Sequence, residues 1–376
     1  MKWNIQKEDK PIRIFVDAHV FDGEFQGTRT YIHGIYSELA QKKNIMLFLG
    51  AQQLEQLQSH FPNADNIRFI QLKSKSSIQR LAYEIPSIIK QYKIDYAHFQ
   101  YITPLIKGCK FIVTTHDVLF NDHPEEFSRF YRFSKNLLYK ISARRADILT
   151  TVSAYSKKSI QKHLKTGNKK IIVTPNAVAD RYFDDYNKEE VKKYVGEKFG
   201  ISKYLLYISR IEPRKNHYLL LKSYLELKLY LKGFHLVLLG SVSIPDDRFQ
   251  ALLDATEKDI KAFIFQSDKI DDKDLLSFYR AAELFVYPSK AEGFGIPPLE
   301  AGAARIPVLC SHTTAMSDFT FFGDNLFDPL DGNTLKEKII SVIEHPQHEM
   351  ALKRISEEIK KRYNWNTSAQ KLYESL

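Results

Sequence analysis

Short runs of apolar and β-branched residues alternate along this chain with longer stretches of 3.6-residue periodicity. In the first half, residues 12–17, 44–50, 95–99, 111–115, 147–152 and 171–173 predict strands, and 30–41, 76–92, 125–146 and 153–164 predict helices. The scheme repeats further on, with strands at 204–209, 235–239, 262–265, 284–287 and 307–310 and helices at 216–231, 248–256, 271–281 and 297–304. Strand–helix alternation at this spacing predicts parallel sheets covered by helices on both faces. The break falls at 175–200, where Pro175-Asn176 ends a strand and a charged segment follows. The expected fold class is α/β, with two doubly wound domains, 1–180 and 181–361, facing across a cleft. Ligands of such sheets sit beyond the C-terminal ends of the strands, where the polar candidates below fall.

A length of 376 residues fits two domains, and an apolar content of 44% suffices for two cores. No apolar run reaches the roughly 18–20 residues of a membrane span. The charged start, Met-Lys-Trp-Asn-Ile-Gln-Lys-Glu, does not read as a secretory signal. Cys109 and Cys310 lack metal-like spacing and read as reduced core residues of a cytoplasmic protein. The net charge of +10 is uneven: residues 1–180 hold 27 Lys/Arg against 16 Asp/Glu, and 181–376 hold 28 against 29. Solvated helix faces are one reading of that excess, and an anionic membrane surface or phosphate-bearing lipid acceptor is the other. Nucleic acid is not expected, because the basic pairs carry no binding motif.

The chemistry concentrates in two turns. In 287–300, Tyr-Pro-Ser-Lys-Ala-Glu-Gly-Phe-Gly-Ile-Pro-Pro-Leu-Glu, Glu292 and Glu300 bracket a glycine-rich turn that leaves a strand and opens a helix. Gly293 and Gly295 permit close backbone approach, and the helix start offers N–H groups to an anion. A carboxylate on each side of an anion cradle suits a ligand with hydroxyls at both ends and phosphates between, the layout of a nucleotide sugar. In Ser209-Arg210-Ile211-Glu212-Pro213-Arg214-Lys215-Asn216, Arg210 and Lys215 can converge on one diphosphate, with Arg214 read as a solvated bystander.

These segments closely resemble the E-x7-E motif and basic pair of retaining family 4 glycosyltransferases of the GT-B fold, with leanings toward its mannosyltransferase-like branch. Thr151-Val-Ser-Ala-Tyr-Ser-Lys, Val173-Thr-Pro-Asn-Ala-Val, the helix 271–279 and Arg362-Tyr-Asn-Trp365 extend the resemblance over nearly the whole chain. It implies a C-terminal helix, within 362–376, that crosses back to the first domain. Arg210 and Lys215 would stabilise the leaving diphosphate, and Glu300 would accept hydrogen bonds from ribose. Glu292, with backbone amides of Gly293, Phe294 and Gly295, would hold the sugar. Leu299 and Ile270 would complete the donor site, the base packing near Lys269-Ile270. His116, in Thr114-Thr-His-Asp, would hydrogen-bond the sugar, with Asp117 beside it on the acceptor side or only orienting the loop. Gly27, in the loop 25–31, would approach the phosphates, and Arg29 reads equally as an acceptor contact or a surface residue. The resemblance further implies domain closure that excludes water, no cofactor and no metal, with UDP- or GDP-linked donor and a lipid-linked or saccharide acceptor. That places the enzyme in the cytoplasm, peripheral to the inner membrane face.

Two departures stand out. Arg305 occupies the helix end where the family has Gly, which predicts a different cap, and Met316-Ser-Asp318 replaces a Pro-Glu pair. The helix around Phe127, Phe130, Tyr131 and Leu138 reads either as an ordinary core-facing helix or as part of a membrane face. Competing classes are a nucleotide-sugar epimerase or hydrolase, a non-catalytic nucleotide-sugar-binding protein, and a basic scaffold.

Overall fold

The computed structural model describes residues 10–23, 27–61 and 65–376, apart from the side chain of Glu126. Two compact units emerge, one of residues 1–176 with 364–376, the other of 177–363. The first is built on a seven-stranded sheet: β1 Ile12–Asp17, β2 Ile45–Ala51, β3 Ile67–Gln71, β4 Tyr96–Gln100, β5 Lys110–Thr114, β6 Ile148–Thr151 and β7 Ile171–Val173. Its order is β3-β2-β1-β4-β5-β6-β7, every pairing parallel. The second unit holds β8 Lys203–Ile208, β9 Phe234–Leu239, β10 Ile264–Ser267, β11 Leu284–Tyr287, β12 Val308–Ser311 and β13 Leu326–Phe327, ordered β10-β9-β8-β11-β12-β13 and again parallel. Central strands such as β4 are buried along their whole length, as expected of sheets with helices on both faces.

Strand order reverses between β1 and β4 in one unit and between β8 and β11 in the other. Loops that leave adjacent strands at such a point diverge to opposite faces and open a crevice. The two charged turns, 209–216 and 287–300, leave β8 and β11, so the second unit carries both at its switch point.

The C-terminal helix Trp365–Tyr373 packs on the helix Gly27–Leu39. Gly34 makes the approach possible: a Cβ there would lie 2.1 Å from the Trp365 ring. Ser368 Oγ also donates to the Pro175 carbonyl (2.8 Å). The expected return of the C-terminal helix to the first unit is therefore present.

Several elements differ from expectation. The charged segment after Pro175 contains the helix Lys188–Phe199, capped by the Asn187 side chain and by Gly200 at φ 72°. Seven of its twelve residues are charged and only Val195 is buried, so its apolar signal is faint. The edge strands β3 and β13 escaped notice because one is polar on its outward positions and the other has two residues. The helix expected at 216–231 stops at Glu226, followed by left-handed Lys228. The expected helix 125–146 starts at Arg129, where the Ser128 side chain caps it. Arg305 takes the left-handed conformation itself (φ 60°), and Ile306 N donates to Ala301 O (3.1 Å), so the glycine-type cap is retained. A non-glycine there costs about 1–2 kcal/mol. The Arg305 guanidinium offsets part of it by bonding Asp185 (2.7 Å) and lying 5.1 Å from the Tyr186 ring.

Candidate functional site

At the β8/β11 switch point the two turns lock together through ions. Lys215 Nζ donates to Glu292 Oε1 at 2.5 Å, and Arg214 Nη1 reaches Glu292 Oε2 at 3.2 Å. Tyr287 Oη donates to the same Glu292 Oε1 (2.9 Å). Glu212, buried, takes Arg214 Nε at 2.9 Å and Arg210 Nη2 at 3.2 Å. Three cations and two carboxylates leave the cluster one net positive charge. Lys215 and Glu292 are buried, whereas the Arg210 side chain is 53% exposed. Asn216, at φ 61°, staples the first turn to the second by donating to the Pro288 carbonyl (3.2 Å).

The two glutamates of the second turn occupy opposite environments. Burial alone would push the Glu292 carboxyl up, but the Lys215 ammonium and Arg214 guanidinium overcome it and hold it at about 2. Glu300, on the helix Ile296–Ala303, is instead raised by burial, although it accepts from the Tyr279 hydroxyl at 2.7 Å. Gly295 enters that helix at φ 94°. A Cβ there would lie 3.2 Å from Met316 Cγ, which is how the Met316 departure packs against the turn. Phe294 stands edge-on to Tyr363, 5.6 Å between centroids, so its ring is packing. Leu299 is fully buried within the first turn of that helix. A cavity of about 520 Å³ lies beyond β8, β9 and β10, lined by Ser209, His217, Gly240, Gln266 and Asp268 among others. Ile270 follows two residues after Asp268, on the loop to the helix Asp272–Ala281.

In the first unit, His116 follows β5 and is buried, with Nε2 2.9 Å from Gln100 Oε1 and its ring 5.0 Å from that of Tyr31. Beneath it runs a buried polar chain. His98 Nε2 meets Thr114 Oγ1 (2.7 Å), His98 Nδ1 meets Tyr36 Oη (2.6 Å), and Tyr31 Oη meets Thr174 Oγ1 (2.7 Å). Asp117 accepts from the Leu119 amide (3.2 Å) and so orders its own loop. Phe25 and Gln26 of the loop 25–31 lie outside the described residues, and a Cβ at Gly27, which opens its helix, would meet nothing within 4 Å among the described residues.

The comparisons agree on what this architecture is. Residues 188–362 match the family model described as glycosyl transferases group 1, and residues 25–181 match glycosyltransferase family 4. The chain is a family 4 glycosyltransferase. It is 26% identical over 319 residues to the O-antigen chain mannosyltransferase B of Escherichia coli, covering 80% of this chain and 82% of that one. To the O-antigen chain mannosyltransferase RfbU of Salmonella typhimurium it is 27% identical over 237 residues, 62% of this chain and 61% of the relative. It spans only 28% of the length of the Escherichia coli serotype-specific mannosyltransferase WbdA. In fold it matches the sucrose-phosphate synthase of Thermosynechococcus elongatus at a TM-score of 0.75, with 16% identity over 97% of this chain and 98% of that one. Anabaena HepE in complex with UDP and glucose gives 0.72, also at 16% identity, over 97% and 99%. These neighbours are GT-B glycosyltransferases, and the two parallel sheets have that fold.

Seen against this glycosyltransferase, two residue readings need correction. Arg214 is no bystander: it clamps Glu292 and Glu212 and donates to the Ala291 carbonyl (2.8 Å). Arg29 is not a surface residue; it is buried over the Phe21 ring (5.0 Å), with Nη2 2.8 Å from His60 Nε2. Sequence reasoning also passed over Glu212, although a lone carboxylate amid three cations in one turn was a usable signal. Asp17, buried at the end of β1 against Arg80 (3.4 Å) and His19 (3.0 Å), gave none, since Arg80 arrives from a π-turn at Arg80–Glu84 ahead of Pro86.

The buried histidines should make this glycosyltransferase acid-sensitive. Burial drives His98, His116 and His217 each down to about 3, so the folded state holds them neutral while the unfolded chain protonates near 6.5. A depressed folded value gives stability that is whole above about pH 6.5 and is lost as pH falls toward 3. At about pH 5 each ring should cost on the order of 2 kcal/mol. The melting temperature should therefore fall steadily from about pH 6.5 to about pH 5; a flat profile over that range would refute neutral burial of these rings.

Proposed function

We propose that this glycosyltransferase moves a hexose, mannose favoured, with retention of configuration from a nucleoside diphosphate sugar to an acceptor hydroxyl. The acceptor is a lipid-linked oligosaccharide, or another saccharide, in cell-surface polysaccharide assembly, met at the inner face of the cytoplasmic membrane. One observation carries the reading: a buried Lys215–Glu292 ion pair, flanked by Arg214, Glu212 and Arg210, at the switch point of the second sheet. The donor is GDP- or UDP-linked: the O-antigen relatives support mannose, and the complex of HepE with UDP and glucose supports a nucleotide donor.

In this scheme the diphosphate competes with Glu292 for the Lys215 ammonium and takes the half-exposed Arg210 from Glu212. Both cations then stabilise the negative charge that grows on the leaving phosphate. Glu292, once released, accepts from sugar hydroxyls, with the amides of Gly293, Phe294 and Gly295 beside it. Glu300 accepts from ribose, the base packs by Ile270, and Leu299 contributes its amide. His116 hydrogen-bonds the sugar as a neutral ring, and Gly27 lets the backbone approach the phosphates. The anomeric C–O bond to phosphate breaks while the acceptor oxygen bonds from the same face, and its proton passes to the departing phosphate oxygen. No carboxylate serves as a covalent nucleophile, and no divalent ion is required.

The test is incubation of the purified chain, in EDTA, with UDP-, GDP- and ADP-sugars and a lipid-linked acceptor, product configuration being read by NMR. One donor should be consumed and the product should keep the donor's anomeric configuration. An inverted product rejects retention, metal-dependent turnover rejects the cation scheme, and release of free sugar alone makes the protein a hydrolase.

A further inference from the structure

The helix Arg129–Arg145 turns its apolar side outward. Its buried residues are Tyr139, Ser142 and Ala143. On the opposite side, Phe130, Phe133, Leu137 and Ile141 recur at i, i+3, i+7 and i+11, one continuous stripe of the helix surface. Phe130 is 82% exposed and Phe133 73%, so the core-facing reading of this helix fails for Phe130 and holds instead for Tyr139. A soluble surface seldom leaves such a row uncovered.

Charge says what covers it. Residues 129–145 contain six Lys/Arg and no Asp or Glu. Asp147, just beyond the helix, is already neutralised by Lys107 (2.7 Å). A second apolar patch adjoins the helix end, where Leu105 (75% exposed) and Ile106 sit on a loop. That loop is tied down by Arg145 Nη2 donating to Leu105 O (2.7 Å) and by Lys107 Nζ donating to Arg145 O (3.0 Å). Protein interfaces deplete Lys around an apolar centre. An apolar stripe on a helix whose own charges are all cationic instead matches a sheet of anionic headgroups over acyl chains, although the exposed Glu125 stands in the turn ahead of it.

We propose that this face lies on an anionic lipid bilayer, with the helix, about 25 Å long, parallel to the membrane plane and Phe130, Phe133 and Leu137 inserted below the headgroups. The inference rests on this helix and its adjoining loop and is independent of the donor chemistry.

The full chain should co-sediment with phosphatidylcholine vesicles containing phosphatidylglycerol, bind pure phosphatidylcholine far less, and lose binding as salt is raised. The triple variant Phe130→Ser/Phe133→Ser/Leu137→Ser should bind the anionic vesicles more than about tenfold more weakly, with the thermal shift induced by nucleoside diphosphate unchanged. A separate Phe130→Trp variant should shift its emission to the blue on adding anionic vesicles, an effect that purely electrostatic adhesion would not produce. Equal vesicle binding by the triple variant overturns the proposal. So does unshifted emission from the Phe130→Trp protein, which also decides the matter should the triple variant fail to fold. A concentration-dependent dimer that the triple variant abolishes would assign the face to a second copy instead.

Discussion

Lys215→Ala should leave a folded protein whose glycosyl transfer falls by about 10²–10³-fold, the scale of removing one charge stabiliser from a transition state. Folding survives because Glu292 keeps two partners, Arg214 Nη1 at 3.2 Å and Tyr287 Oη at 2.9 Å. Orphaning a buried charge outright costs about 3–5 kcal/mol, and the remaining contacts should hold the loss below that. Glu292→Gln separates two roles that the ion pair fuses. It frees Lys215 for the diphosphate, so nucleoside diphosphate binding should persist or tighten while sugar transfer collapses. Lys215→Ala should lose both. Thermal shift with the nucleoside diphosphate reads binding, and steady-state transfer reads chemistry. If both variants turn over like the parent, the site assignment is wrong.

That ion pair also shows what the sequence could and could not disclose. Two turns at the ends of β8 and β11 were readable because glycine, proline and charge are compressed into a few positions there. Parallel α/β architecture was readable because buried strands are nearly continuous apolar runs. What escaped were interactions decided in three dimensions. Arg214 looked interchangeable with any solvated arginine until the second turn brought the Ala291 carbonyl and Glu292 to it. The helix Lys188–Phe199 shows only Val195 to the core, so periodicity had little to register. At Arg305 the backbone kept the left-handed cap and the side chain found Asp185 and Tyr186, partners far from it in sequence. The outward stripe of Arg129–Arg145 is amphipathic on paper in either orientation; only the burial of Tyr139, Ser142 and Ala143 decides which side faces in.

Gly240→Ala should be the most damaging single methyl in the second unit, lowering stability by about 2–5 kcal/mol and abolishing tight donor binding. Gly240 directly follows β9 at φ 142°, a conformation that L side chains rarely adopt. A Cβ there would stand 2.2 Å from the Ser209 carbonyl oxygen and 2.6 Å from its carbon. Both are backbone atoms, so no rotamer change relieves the clash. Nor can the strand ends part cheaply, since Ser209 N donates to Leu239 O and Ile211 N to Ser241 O, both at 2.9 Å. Any relief must move the turn that carries Arg210, Glu212, Arg214 and Lys215, and must distort the cavity Gly240 lines. Gly27→Ala is the matched control: its Cβ meets nothing within 4 Å among the described residues, so stability should change by less than about 0.5 kcal/mol. Any loss of activity in that control would then report a ligand, not a fold. Urea unfolding together with nucleotide titration distinguishes the two glycines, and an unaltered Gly240→Ala protein would mean that the β8 and β9 loops do not meet as described.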